Sequence, residues 1–392
     1  MPQPLDALDA LDFLEIEALL SAEEIALRDR VRGFVRQRIL SEIEDWFEQG
    51  VFPSELATEF GKLGLLGMGL EGYGCPGGSE VDYGLACLEI EAGDSGLRSF
   101  MSVQGSLVMF AIRRFGSEEQ REEWLPRLAS GEAIGCYALT EPDSGSDPGS
   151  MTTFARRERG DWVLNGRKRW NTNGLVSDVA IIWAKTEEGI RGFVVPANTP
   201  GLAFSSIDRS YSLRAAARSE LTLEDARLPE GSVLPEVTGL RGPLTCLNEA
   251  RYGIVWGAVG AGRACFESAL DHAKNRVQFG KPIGAFQLTQ RKLAEMALRL
   301  NTGALLAVHL GRMKDEGRAR AEQISMGKLN NARAALDVAR EARTILGGNG
   351  VTADFPVMRH MANLESVITY EGTEEVHMLV IGAALTGLRA FD

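Results

Sequence analysis

The sequence predicts a mainly α protein with a central β domain. Helical periodicity fills residues 1–135, short β-rich runs replace it over 136–240, and long helical segments return over 241–392. A chain of 392 residues with 44% hydrophobic and 24% charged side chains has enough apolar material for two or three domains, or for one large multilayered unit.

The helical start is signed by two capping boxes. Ser21 stands three residues before Glu24 at the head of "AEEIALRDRVRGFVRQRI", and Ser117 stands three before Gln120 at the head of "EEQREEWLPRLAS", which should stop near Gly131. In the middle, "CYALT", "DWVLNGRKRWNT", "VAIIWAK", "GFVVPA" and "ELTLEDA" read as strands parted by Gly, Pro and Asn, with Asn165-Gly166 read as a hairpin turn. The last third carries proline-free helical stretches over about 244–276, 287–317 and 321–348. A final helix from about Glu374 presents Val376, Leu379, Val380 and Ala383 as its apolar stripe. Four such helices with short connections predict an antiparallel bundle.

A net charge of −12 argues against nucleic-acid binding, which calls for a basic face. Five scattered cysteines without a CxxC pair argue against a disulfide framework or a zinc site, and four separated histidines without HExxH give no metal centre. The acidic stretch "MPQPLDALDALDFLE" does not have the form of a targeting peptide, and no run of about eighteen apolar residues forms a membrane span. These points lead us to expect a cytoplasmic protein.

Several segments could carry chemistry. The pattern Gly72-x-Gly74-x-x-Gly77, followed by Asp94, matches a dinucleotide fingerprint only in outline; it sits in a helical zone, and a helix–helix loop is the stronger reading. "YALTEPDSGSD" (137–147) is a strand entering a turn rich in small polar residues, suited to a planar polar ligand or simply to solvent. Trp170 in "RKRWNTNG" could stack on a ligand ring or bury one face. Arg98 opens a helix, where the macrodipole disfavours a cation; a bound carboxylate would explain it, and so would a surface position. "NRVQFGKP" offers Arg276, Gln278, Phe279 and Lys281 for a phosphate and a base, or as solvated cations at a helix end. "LGGNG" (346–350) has more glycine than a helix stop needs. In "SVITYEGTEEVH", Thr373 reads as an N-cap and Glu374 and Glu375 suit a first helical turn, which leaves Glu371 without a helix role.

Taken in order, "YALTEPDSGSD", "NEARYG", "RVQFGKPI", "LGGNG" and "YEGT" resemble the motifs of acyl-CoA dehydrogenases along essentially the whole chain. "SGLRSFMSVQGSLVM", "TYEGT" and "SLRA" most resemble the glutaryl-CoA branch of that family. The resemblance implies a helical N-terminal domain (1–135), a β-barrel-like middle domain (136–240) and a C-terminal four-helix bundle (241–392). It also implies FAD as cofactor, a homotetramer, and electron-transfer flavoprotein as electron acceptor. By resemblance the flavin would be lined by Tyr137, Leu139, Thr140, Gly145, Ser146, Trp170, Thr172 and Thr373. Arg276, Phe279 and Gln287 would reach the FAD of a neighbouring subunit, and Leu346, Gly347 and Gly348 its diphosphate or adenine half. Ser146, Leu247, Asn248, Arg251 and Gly372 would line the acyl-CoA site, with Arg98 and Ser99 at the far end of the acyl group. Asn171 and Leu97 stand where relatives carry an apolar and an aromatic residue.

The chemistry implied is removal of an α-proton from a thioester by a carboxylate base, Glu371, while the β-hydrogen leaves as hydride. For a substrate with a distal carboxylate, Arg98 would bind that group. Tyr370 and Glu91 resemble residues of the members that go on to release CO2, giving crotonyl-CoA. Dehydrogenation of another short-chain acyl-CoA, or glutaryl-CoA desaturation without decarboxylation, stays open at this point. So does a non-catalytic binding protein, against which Glu371 speaks.

Overall fold

The computed structural model describes Asp9 and residues 11–390, so the beginning of the acidic N-terminal stretch lies outside the described residues. Helices α1 (Ala22–Phe34), α2 (Ile43–Gln49), α3 (Leu56–Lys62), α4 (Glu80–Gly93), α5 (Ser95–Ser102), α6 (Phe110–Phe115) and α7 (Glu118–Ser130) precede the strands. Both capping boxes form: Ser21 Oγ accepts from Glu24 N at 3.2 Å while Glu24 Oε2 accepts from Ser21 N at 2.8 Å, and Ser117 and Gln120 repeat the exchange. Gly131, at φ 74, ends α7 as read from the sequence.

Strands β1 (Gly135–Ala138), β2 (Phe154–Glu158), β3 (Asp161–Asn171), β4 (Val179–Thr186), β5 (Gly189–Pro196), β6 (Leu202–Ser206) and β7 (Ser219–Leu228) form a seven-stranded sheet in the order β1-β4-β2-β3-β7-β6, with β5 on β4. The pairing β1–β4 is parallel, and β2–β3, β3–β7, β4–β5 and β6–β7 are antiparallel. Alternating residues of these strands, among them Trp162, Leu164, Ile182, Phe193 and Leu221, bury one face as a separate core. After the sheet come α8 (Arg241–Asn275), the short hairpin strands β8 (Val277–Gln278) and β9 (Lys281–Pro282), α9 (Gln287–Asp315), α10 (Ala321–Leu346), α11 (Val357–Val367) and α12 (Glu374–Thr386). The fold class is the one the sequence predicts.

Three local readings change. Asn165-Gly166 is not a turn but lies inside β3, and the β2–β3 turn is at Arg159-Gly160. The Asn165 amide exchanges hydrogen bonds with Asp225 on β7, and the β3–β7 register slips between Leu164 and Gly166. A Cβ on Gly166 would come within 2.4 Å of Thr153 Oγ1, so glycine serves close packing at a bulge here. The fourth helix of the C-terminal core is α11, which the sequence reading missed: Val357, Leu364 and Val367 join residues of α8, α9 and α10 in one buried cluster. Helix α12 packs on α10 instead, but its expected stripe is only partly covered: Leu379 is exposed, Val376, Val380 and Ala383 are half-buried, and His377 is the buried residue.

The chain divides into two compact units. One comprises the segments up to Glu48, Glu80–Ser95 and from Arg251 onward; the other comprises Gln49–Ser79 and Gly96–Ala250. In the first, Glu89 of α4 is 1% exposed and bridges two arginines. Arg263 of α8 donates to its oxygens at 2.7 and 2.6 Å, and Arg32 of α1 at 2.9 and 3.1 Å. Burial alone would raise the Glu89 pKa, but the two guanidiniums outweigh it and hold the carboxyl at about 2. Its stabilisation is therefore complete above the ordinary carboxyl pKa and is lost as pH falls through about 2.

Glu89→Gln should cost ~3 kcal/mol by taking the buried carboxylate from two partly buried guanidiniums, Arg263 and the more exposed Arg32. Denaturant unfolding at neutral pH measures it. The gap between wild type and variant should narrow as the pH is lowered from 4.5 toward about 2.

Candidate active site

Glu371 lies in the turn between α11 and α12, in a left-handed conformation at φ 54, with Gly372 following at φ 102. That geometry costs a non-glycine residue ~1 kcal/mol, so something must hold it. Three successive carbonyls do. Lys328 of α10 donates from Nζ to Tyr370 O and, at 2.6 Å, to Gly372 O; Arg251 of α8 donates from Nε to Glu371 O at 3.0 Å. Hydrogen bonds from charged donors contribute ~1.5–3 kcal/mol each, enough to outweigh the strain. Lys328 is 1% exposed. Burial lowers the Arg251 pKa, and the Glu371 carboxylate acts in the opposite direction. A Cβ at position 372 would sit 2.8 Å from the His377 ring, so the turn requires glycine there for space as well as for φ.

Thr373 caps α12 by accepting from Val376 N at 3.3 Å, and its hydroxyl helps hold the Glu375 carboxyl below its ordinary pKa, after the backbone N–H there. Glu374 is paired with Arg333 at 2.7 Å, so its charge is compensated. His377, 1% exposed, has its pKa pushed down to about 3 by burial and by the neighbouring Lys328 and Arg251 cations. It is a neutral imidazole at working pH. Tyr370 packs half-buried against the C-terminal core, and Glu91 of α4 is fully buried in the same unit.

In the second unit, helix α5 begins at Ser95, so Arg98 sits within its first turn rather than opening it. Arg98 is not a surface residue: its exposure is 0%, and its chain neighbours Leu97, Ser99, Phe100 and Met101 are buried as well. Leu247 and Asn248 lie half-buried on α8, and Asn248 Oδ1 is a buried acceptor without a hydrogen-bond partner among the described residues, as a site awaiting a polar ligand would leave it. Gly145 and Ser146 are exposed.

The strand–turn at 137–147 is anchored from behind. Lys168, 0% exposed, donates to Leu139 O at 2.9 Å and Glu141 Oε1 at 3.0 Å, and Glu141 also accepts from Thr152 N at 2.6 Å and Thr153 N at 2.8 Å. Burial pushes Lys168 down to about 8, against the pull of Glu141, which these partners hold at about 2. Tyr137 and Leu139 are buried, while Thr140 and Thr172 are half-exposed. Trp170 takes φ 65 and is 51% exposed, with the Arg169 and Arg218 guanidiniums 4.8 and 5.9 Å from its ring. Asn171 is buried and pairs through its amide with Ser219 O at 3.3 Å, which turns the departure noted in the sequence into a contact inside the sheet.

In the first unit, Arg276 stands at the end of α8, where its N–H donates to His272 O at 2.8 Å, and Phe279 is 94% exposed at the tip of the β8–β9 hairpin that follows. Gln287 is exposed at the start of α9. Leu346 is buried, whereas Gly347 and Gly348 are exposed and a Cβ on either would meet nothing within 4 Å. Within the second unit, a half-exposed indole flanked by cations and half-exposed hydroxyls suits a planar polar group; within the first, the uncovered glycine run suits the close approach of a phosphate. The glycine pattern at 72–77 is a loop between α3 and α4. Asp94 is buried against Arg359 at 2.9 Å and Asn363 at 2.8 Å, so it is no ribose ligand.

Sequence reasoning missed Lys328 and His377. A faint signal existed for the first. Ile324, Lys328, Asn331 and Ala335 share one helical face at spacings of four, three and four, and all are buried, so a lysine occupies a core stripe.

Family models for the N-terminal, middle and C-terminal domains of acyl-CoA dehydrogenase match residues 21–132, 136–226 and 238–386. The chain is 37% identical to an acyl-CoA dehydrogenase of Bacillus subtilis over 94% of its length and 99% of the relative's. A crystal structure of a glutaryl-CoA dehydrogenase from Mycobacterium smegmatis in complex with FADH2 superposes with a TM-score of 0.97 at 56% identity, covering 98% of this chain and 100% of that one. A glutaryl-coenzyme A dehydrogenase in complex with glutaryl-CoA gives 0.90 at 31% identity, over 94% and 96%. With all three domains matched in order, the chain belongs to the acyl-CoA dehydrogenase family and is an FAD-dependent oxidoreductase acting on acyl-CoA.

Proposed function

We propose that this enzyme oxidises and decarboxylates glutaryl-CoA to crotonyl-CoA and CO2. The observation that carries the choice of substrate is Arg98, a guanidinium with 0% exposure in the first turn of α5. In so dry a place a bidentate pair with a carboxylate is strong and selective. The likeness to two glutaryl-CoA dehydrogenases, one of them solved with glutaryl-CoA, supports the same choice.

Glu371 takes the α-proton of the thioester, and its fixed turn directs the carboxylate to that task. When bound, FAD supplies the acceptor for the hydride leaving the β-carbon. The Glu371 backbone N–H serves to polarise the thioester carbonyl. Arg98 holds the terminal carboxylate until oxidation has placed a double bond between Cα and Cβ. The bond from Cγ to that carboxylate then breaks, its electron pair spreads into the thioester as a dienolate, and protonation at Cγ, by Glu371 carrying the proton it took, yields crotonyl-CoA. Tyr370 and Glu91 serve this second stage.

A homotetramer follows in the same reading, with Arg276, Phe279 and Gln287 reaching a neighbour's FAD. The exposed Phe279 (94%), Leu288 (73%) and Leu298 (64%) support it. Electron-transfer flavoprotein is the proposed acceptor and the cytoplasm the proposed compartment. Among the described residues no helix is long and apolar enough to cross a membrane.

Purified enzyme given glutaryl-CoA and a dye acceptor should form crotonyl-CoA and CO2 in equal amounts. Accumulation of glutaconyl-CoA would leave only the desaturase, and turnover confined to monocarboxylic acyl-CoAs would reject the substrate. Arg98→Met should lower kcat/KM for glutaryl-CoA by ~100-fold or more, as loss of a buried charge pair does, and leave butyryl-CoA far less affected. Equal losses on both would rule out a carboxylate clamp.

A further inference from the structure

We propose that Lys328 is a positioning residue for the reaction: by holding the carbonyls of Tyr370 and Gly372, it locks the backbone on either side of Glu371 and so aims the Glu371 carboxylate at the substrate α-carbon. The inference rests on the reading of Glu371 as the base.

The geometry carries it. A residue's φ and ψ are set by the peptide planes before and after its Cα. The plane before Glu371 ends in the Tyr370 carbonyl, which accepts from Lys328 Nζ; the plane after it carries the Glu371 carbonyl, which accepts from Arg251 Nε at 3.0 Å. The next plane, with the Gly372 carbonyl, returns to Lys328 at 2.6 Å. One ammonium therefore grips the turn on both sides of the base, and Arg251 grips it in the middle. The lysine comes from α10 and the arginine from α8, helices whose side chains share the C-terminal core, so the turn is referenced to the rigid part of the unit. The Lys328 Nζ also lies 5.6 Å from the Tyr370 ring centroid, which ties the side chain beside the base to the same cation. His377 closes the remaining side by packing its ring on Gly372, and burial together with the two cations keeps it neutral.

Two carbonyl bonds from one buried cation to a strained turn next to a base are what a site requires when a displacement of about 1 Å costs ~100-fold in rate. Arg251 lies in the segment already expected to line the substrate; Lys328 has no contact assigned with acyl-CoA or flavin and acts only through Glu371.

The test uses FAD-loaded enzyme, reduced anaerobically with dithionite so that no hydride can leave the substrate. The readout is exchange of the α-protons of bound acyl-CoA with D2O. Lys328→Met should keep its FAD and its acyl-CoA affinity and lose ~100-fold in exchange rate, as misplacement of a base does. Lys328→Arg, which can still donate to two carbonyls, should recover most of the loss. Lys328→Gln replaces Lys328→Met should the latter not fold. Wild-type exchange in Lys328→Met, a loss that merely tracks lost FAD or lost affinity, or failure of both neutral variants to hold FAD would each overturn the proposal and leave Lys328 a structural residue. Glu371→Gln is the control: if it still exchanges, the base assignment fails, independently of Lys328. Butyryl-CoA substitutes for glutaryl-CoA in every arm, so an error in the proposed substrate does not affect the result.

Discussion

Two cations on three consecutive peptide carbonyls are the constraint on which the reactive end of this protein depends. Lys328 and Arg251 hold a turn that the chain would not keep by itself, because Glu371 is left-handed and Gly372 has no room for a side chain beside His377. The arrangement inverts the usual order in which a rigid element positions a loop by burying its apolar residues. Here the core helices α8 and α10 each send one charged group outward to grip backbone. A base whose backbone is held in this way has lost that part of its conformational freedom before substrate arrives, which lowers the entropic cost of base catalysis.

The same device, a buried lysine answered partly by backbone, recurs in the sheet. Lys168 holds Leu139 O and Glu141 from behind the strand–turn that offers Thr140 and the small polar residues after it. The Glu89 triad and the Arg359–Asp94 pair belong to a different class: there the cations meet carboxylates, the network is closed, and the result is stability in the helical unit. The carbonyl bonds of Lys328 and Lys168 hold backbone beside candidate site residues, whereas the bonds to Glu89 hold α1, α4 and α8 together.

Features that act within one turn of chain were legible in the sequence. The capping boxes at Ser21 and Ser117, the stop at Gly131, and the N-cap at Thr373 with Glu371 left outside the helix all form as read, because caps depend on residues three or four apart. Features that depend on a distant partner were not. Asn165-Gly166 has the chemistry of a hairpin turn, but Asp225 and Thr153, far along the chain, make it a bulge. The strand β2 hides in "TFARRE", where arginines mask the alternation. Helix α11 lacks a polar cap, so "VMRHMANLESV" gave no start signal. Nothing local decided between a buried and a surface Arg98, and the sequence reading passed over Lys328 although it occupies a core stripe. Sequence pattern shows which residues could react; which side chains hold them in place emerges only when helices far apart in the chain are packed together.

The central claim is that Glu371, held in this turn, is the base. Anaerobic mixing of glutaryl-CoA with the yellow FAD-loaded enzyme tests it most directly, with loss of the visible flavin absorption as the readout, in wild type and in Glu371→Gln. The account predicts rapid bleaching in wild type. In Glu371→Gln it predicts bleaching slowed by ~10³-fold or more, at the scale expected for loss of a general base, while glutaryl-CoA still binds. Bleaching of Glu371→Gln at the wild-type rate would contradict it.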